Sequence, residues 1–145
     1  MTDTFSLNAG SSTGPEIQSA LRALHQESVV SWAALDTRTF LAPIGDAWSP
    51  AGNVRHLTSR CTARPVPSDP DVARARIMDL HASSVATLCA AITRWPEPAL
   101  DAHRLPHPLI GRLTVREMLL FTLHHNRHHL ENVQRRFASA PTGTT

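Results

Sequence analysis

Leu123-His124-His125-Asn126-Arg127-His128-His129-Leu130-Glu131-Asn132 places four of the nine histidines of this 145-residue chain within six positions. The stretch belongs to a run that opens with Thr114 and Glu117 at capping-box spacing, where a hydroxyl and a carboxylate each satisfy a free backbone N–H. It continues to about Ala138 without proline or glycine, and the spacing predicts one long helix. Residues four apart on a helix lie one above the other, so His125 and His129 form one stacked pair and His124 and His128 another. At about 100° per residue, Arg127, Glu131, Gln134 and Arg135 share a charged sector expected to face water, with Glu131 pairing to Arg127 and Arg135. The opposite direction falls on Met118, Thr122, His125 and His129, with Asn132 and Val133 at its margins. His125 and His129 are therefore the pair expected to face inward, and His124 and His128 the solvated flank. A buried imidazole needs a partner to offset its desolvation, and one metal ion can serve two of them.

Three further helices are expected. The first runs from about Glu16 to Leu35, with Thr13 and Glu16 at capping-box spacing and Ile17, Leu21, Leu24, Ser28, Trp32 and Leu35 along one face. The second opens at Ser49-Pro50, an N-cap followed by proline at the first helical position, and fades near Ala63. The third opens at Asp69-Pro70, carries Ala73, Ile77, Leu80, Leu88 and Ile92 at helical spacing, and stops before Trp95-Pro96. Asp36 to Ser49 and Pro96 to Leu113 read as irregular connections, and no alternating strand pattern stands out. Four helices with one apolar face each predict an all-α four-helix bundle with long crossover loops. The domain is expected over residues 14–138, between flexible tails at 1–13 and 139–145.

Composition narrows the function. Forty-one per cent hydrophobic and 18% charged residues are ordinary for a single globular domain. The charge of +2 is small, all 14 basic residues are arginines, and they are scattered. A basic stripe is missing, so nucleic acid is not an expected partner. No stretch approaches the roughly 20 apolar residues that cross a bilayer, and the polar N-terminus lacks the basic start and apolar run of a secretory signal. A cytoplasmic location follows as the expectation, with no membrane partner. Cys61 and Cys89 do not form a CxxC pair, and both are expected to be reduced there, as small core residues.

A metal site with an open position usually has three protein ligands, so His125 and His129 require a third. His103 and His107 fall in an irregular, proline-bounded segment. Spacing does not choose among His25, His56 and His81.

Two stretches carry a resemblance. Trp48-Ser49-Pro50-Ala51-Gly52-Asn53-Val54-Arg55-His56-Leu57 resembles the start of the second helix in the DinB/YfiT-like family of bacterial metal-binding four-helix bundles. His107-Pro108-Leu109-Ile110-Gly111-Arg112-Leu113-Thr114-Val115-Arg116-Glu117-Met118-Leu119, together with His125 to Asn132, resembles the loop and last helix of the same family. The resemblance implies one divalent ion, zinc or nickel, held by His56, His125 and His129. It also implies a homodimer, since the family commonly pairs its bundles. Three positions after the last histidine the family often has Gln, whereas this chain has Asn132, so a contact from that side chain does not carry over.

Three neutral imidazoles leave a divalent ion with its full charge and an exchangeable position, which can activate water or hold a thiol as thiolate. Hydrolysis would benefit from a carboxylate base, and the chain has no HExxH. The expected function is therefore a metal-dependent enzyme of the thiol S-transferase class, using mycothiol or bacillithiol as cosubstrate, as some members of the family do. Arg60 and Arg112 are candidates to line the pocket for the thiol. The absence of lysine suggests GC-rich coding, which favours mycothiol. The alternative is a metal-binding or stress-associated bundle without turnover.

Overall fold

A computed structural model describes residues 12–58 and 65–139. They form a mostly helical chain in the order α1 (Gly14–Ala33), α2 (Thr37–Leu41), α3 (Pro50–Leu57), α4 (Pro70–Arg94), α5 (Ala99–Ala102), β1 (Arg104–His107), β2 (Gly111–Thr114) and α6 (Val115–Ser139). No described helix is long and apolar enough to cross a membrane. The expected Cys61 and Arg60 positions lie outside the described residues, whereas Cys89 is a free thiol buried in the core.

The long helices begin where their caps dictate. Thr13 and Glu16 close a capping box on α1, and Thr114 and Glu117 do so on α6, with N···O distances of 2.7 and 3.1 Å. The Ser49 hydroxyl accepts from Gly52 at the head of α3, and Asp69 accepts from Asp71 and Val72 at the head of α4. The last turn of α1 carries no basic residue of its own. Arg74 of α4 serves it instead, donating to the carbonyls of Trp32 and Leu35 while its guanidinium lies 5.1 Å from the Phe40 ring.

Helix α1 lies against both α4 and α6, and α3 against the same two. Ile17, Leu21, Leu24 and Trp32 meet Ile77, Cys89 and Ile92 of α4 and Leu119, Leu123, Leu130 and Val133 of α6 in one core. The most buried stripe of α6 is thus its leucine face. His125 and His129 are half-buried at the edge of that face, so the inward direction inferred from the charged sector was rotated. The cause is the neighbour: this edge faces α3, whose eight residues cover it only in part.

Two expected loops contain regular structure. Asp36 caps α2 by accepting from Thr39, and Phe40 of α2 is fully buried. The segment Pro96 to Leu113, expected to be irregular, holds α5 and an antiparallel β1–β2 hairpin with register Arg104↔Thr114 to His107↔Gly111. Its strands are four residues long and largely exposed, so no apolar alternation marks them. At its turn the imidazole Nδ1 of His107 accepts from the backbone of Leu109 and Ile110, and Gly111 takes the positive φ of 96° that closes it.

Arg116 ties this region to the start of α1. It is 7% exposed and donates to Asp101, Glu97 and the Ser12 carbonyl. Glu97 in turn accepts from the backbone N–H of Gly14, at 3.0 Å. That backbone donor and then Arg116 hold the Glu97 carboxyl below its usual range, while Arg116 does the same for Asp101. Replacing Arg116 with Met leaves these acceptors to water and removes charge-assisted bonds of the kind worth about 2 kcal/mol. Urea denaturation should show a loss of that order, and an unchanged midpoint would mean that the N-terminal contact is not held by Arg116.

Candidate metal centre

The site is assembled from one short and one long helix. His56 sits in the last turn of α3, and His125 and His129 one above the other on α6. Their side chains converge: His56 Nε2 lies 3.3 Å from His125 Nε2, which lies 3.0 Å from His129 Nε2. One ligand nitrogen from each falls within 4.8 Å of the others. Nitrogens bound at 2.0–2.1 Å stand about 3.3 Å apart at a tetrahedral angle and about 2.9 Å at a right angle. The two printed contacts, His56–His125 and His125–His129, thus have the spacing of nitrogens that share one small divalent ion.

The tautomer of His129 is fixed from α3. Asn53, 4% exposed, donates its amide N–H to the Ser49 carbonyl at 3.0 Å. Its Oδ1 then faces His129 Nδ1 at 2.7 Å. Nδ1 must carry the proton, which leaves the Nε2 lone pair directed at the cluster. Asn53 is one turn before His56 on the same helix face, and that i−3 relation was its sequence signal.

Aromatic rings frame the cluster. Trp48, 57% exposed, is tilted on His56 with ring centroids 5.2 Å apart and nearly parallel to His129 at 6.4 Å. Phe121 lies 5.4 Å from His125 on the other side, and His107 of the hairpin packs edge-on against Phe121 at 4.7 Å. His107 thus borders the site instead of lying remote from it.

The other candidates fall elsewhere. His124 and His128 are exposed. His103 faces Trp95 and the Ala99 carbonyl. His25 and His81 face each other across the α1–α4 contact, with centroids 5.1 Å apart. Arg127 pairs with Glu27 of α1 at 2.7 Å and not with Glu131. Asn132 is half-buried, and its side chain makes no hydrogen bond among the described residues.

Burial and neighbouring charge hold His125 and His129 toward the neutral form. Burial first, then the charges of His125, His56 and His128, push the His129 pKa down to about 4. Burial and the neighbouring His56, His128 and His107 also lower that of His125. A base whose folded pKa is depressed binds fewer protons folded than unfolded, so the penalty is absent above about 6.5 and complete below about 4. The metal-free protein should therefore lose thermal stability as pH falls through that window. The triple variant His56→Ala/His125→Ala/His129→Ala should show a flatter profile, the lowered His25 and His81 retaining part of the slope; superimposable profiles would refute the coupling. Replacing Asn53 with Ala frees the His129 ring, and divalent-metal affinity by competition titration should fall about 10–100-fold.

Comparison with known proteins places these observations. No curated protein and no solved structure matches the chain. The model of the DinB superfamily matches residues 58–133, just over half of the sequence. The matched stretch contains His125 and His129 and begins two residues after His56. With that match, the chain belongs to the DinB superfamily.

Proposed function

We propose that α1, α3, α4 and α6 form the four-helix bundle of this superfamily, and that His56, His125 and His129 bind one zinc or nickel ion to activate a low-molecular-weight thiol for S-transfer. The observation that carries the reading is the gathering of the three histidines, with two Nε2···Nε2 separations at ligand spacing. The 3.0 and 3.3 Å separations fall between the right-angled and tetrahedral values, a range that suits zinc and nickel alike.

When bound, the divalent ion supplies Lewis acidity that favours a thiolate over a thiol at neutral pH. The histidines contribute neutral nitrogens and no charge, so the attraction for an anionic sulfur is undiminished. Asn53 holds His129 in the ligating tautomer. Trp48 and Phe121 give the approach an aromatic border suited to an apolar acceptor. Among the described residues no carboxylate joins the cluster, which favours thiol chemistry over hydrolysis, where a base would be needed. Arg112 on exposed β2 is the described arginine available to the polar body of the thiol, and the all-arginine composition favours mycothiol over bacillithiol.

A second reading, a metal-binding bundle without turnover, is favoured by one observation. A cavity among α1, α3, α4 and α6 includes none of the three histidines, so the described residues offer a pocket apart from the cluster.

Elemental analysis tests the site. We expect one divalent ion per chain, lost in each of His56→Ala, His125→Ala and His129→Ala and retained in His124→Ala. Full metal content in the triple variant would overturn it. Incubating the metal-loaded protein with mycothiol or bacillithiol and an electrophilic acceptor separates the two readings, because thioether formation requires transfer and its absence with every acceptor leaves binding alone.

The chain is further proposed to pair with a second copy. Val30 is 70% exposed and Leu109 is 91% exposed, alongside Trp48 and Ile110, apolar surface that a partner would cover. Sedimentation should give a dimer at micromolar concentration, and a monomer would exclude it.

A further inference from the structure

Across α6 from the histidine cluster lies a cavity of about 60 Å³. Its polar lining comes from His25 and Ser28 of α1, His81 and Ser84 of α4, and Thr122 and Asn126 of α6, and its apolar walls are leucines and a valine from α1, α3 and α4. Among the described residues, no acidic or basic side chain other than the two histidines borders it. At about 10–15 Å³ per water-sized group, it has room for about four to six non-hydrogen atoms.

The hydrogen-bond polarity of this lining can be worked out atom by atom. The hydroxyls of Ser28, Ser84 and Thr122 donate to the carbonyls four residues earlier, those of Leu24, Leu80 and Met118, each at 2.9 Å. Their hydrogens are committed, and only lone pairs remain. The Asn126 amide donates to the Thr122 carbonyl at 2.8 Å, so its Oδ1 faces His81 Nε2 at 3.4 Å. Nε2 of His81 therefore carries the ring proton, and Nδ1 is a bare acceptor. His81 is 3% exposed, and its Nδ1 has no hydrogen-bond partner; the buried Nδ1 of His25, facing it, has none either. Burial holds both rings toward the neutral form. The result is an uncharged pocket rich in acceptors and poor in donors, with the buried Nδ1 lone pair of His81 unmatched in a way folded proteins rarely leave.

We propose that this cavity is a second binding site, separate from the histidine cluster, for a small neutral molecule that presents N–H donors on a short apolar body, of which a primary carboxamide is the minimal form. Two N–H groups on one nitrogen meet the acceptors of His81 and the hydroxyl oxygens, and the remaining N–H of Asn126 can serve the carbonyl of the ligand. An anion would face lone pairs, and a cation would lose its hydration with no carboxylate to replace it. The proposal does not depend on the metal reading.

Titration of the full-length, metal-loaded protein with propionamide, followed by NMR of the His25 ring and Leu88 methyl groups, tests it. Saturable shifts in the millimolar range are expected for so small a ligand. N,N-dimethylpropionamide, which has no N–H, and propionate and propylammonium, which are charged, should give none. His81→Leu should abolish the shifts and Ser28→Ala should weaken binding several-fold, with metal content unchanged in both. Should His81→Leu fail to fold, Ser28→Ala, which removes one buried hydroxyl bonded only to its own helix, carries the test. The proposal is overturned if propionamide does not saturate, if the dimethylated or a charged analogue binds as well, or if Ser28→Ala binds with wild-type affinity.

Discussion

Everything at the histidine cluster depends on the register of α3 against α6. A helix of eight residues has too few internal hydrogen bonds to persist by itself, and α3 is held by what it buries. Pro50, Ala51 and Val54 enter the core, leaving Asn53 and His56 on the side that faces α6. The same contact therefore fixes two things together: where the His56 nitrogen falls relative to His125, and whether Asn53 reaches His129. A slip of one residue on α3 would rotate His56 by about 100° and dissolve the cluster, although α6 alone would keep its stacked pair.

That arrangement opposes the ordinary tendency of imidazoles near neutral pH. Three ring nitrogens directed at one point cannot all accept protons, since each added charge is felt by the others at close range and in partly desolvated surroundings. The fold thus carries a local destabilisation whenever protons are abundant, which a cation bound there would remove by giving the lone pairs a common partner. The edge position of the cluster reconciles two needs. Leucines of α6 close the core behind it, while the short α3 leaves one side accessible, as an exchangeable coordination position requires.

How legible this was in the sequence differed from element to element. The capping residues Thr13, Ser49, Asp69 and Thr114 marked the helix starts to within two residues, because an N-cap is a local signal decided by one side chain and the next turn. The HxxxH pair was legible for the same reason. The inward direction of α6 was not, because a charged sector locates water on one side without saying how well the opposite side is covered. The hairpin left no pattern in its exposed four-residue strands. His107, set aside with that loop, turned out to close the hairpin turn and border the site. His56 could not be separated from His25 and His81 by spacing, since contact between α3 and α6 is a tertiary fact; only the resemblance singled it out.

Helix α6 finally explains why His56 and not His81 meets the HxxxH pair. Two neighbouring columns run along it one position apart, Thr122 with Asn126 and Phe121 with His125 and His129. A one-position step turns a helix by about 100°, enough to hand the first column to α1 and α4 and the second to α3. His81 on α4 accordingly meets Asn126, whereas His56 on α3 meets His125. Asn126 is the divider: its amide is tied to its own helix and its oxygen to His81, so it cannot turn toward the cluster beside it. Two histidine groups can therefore coexist on neighbouring columns of one helix with different surroundings, one gathered at the α3 edge and the other facing the cavity among α1, α4 and α6.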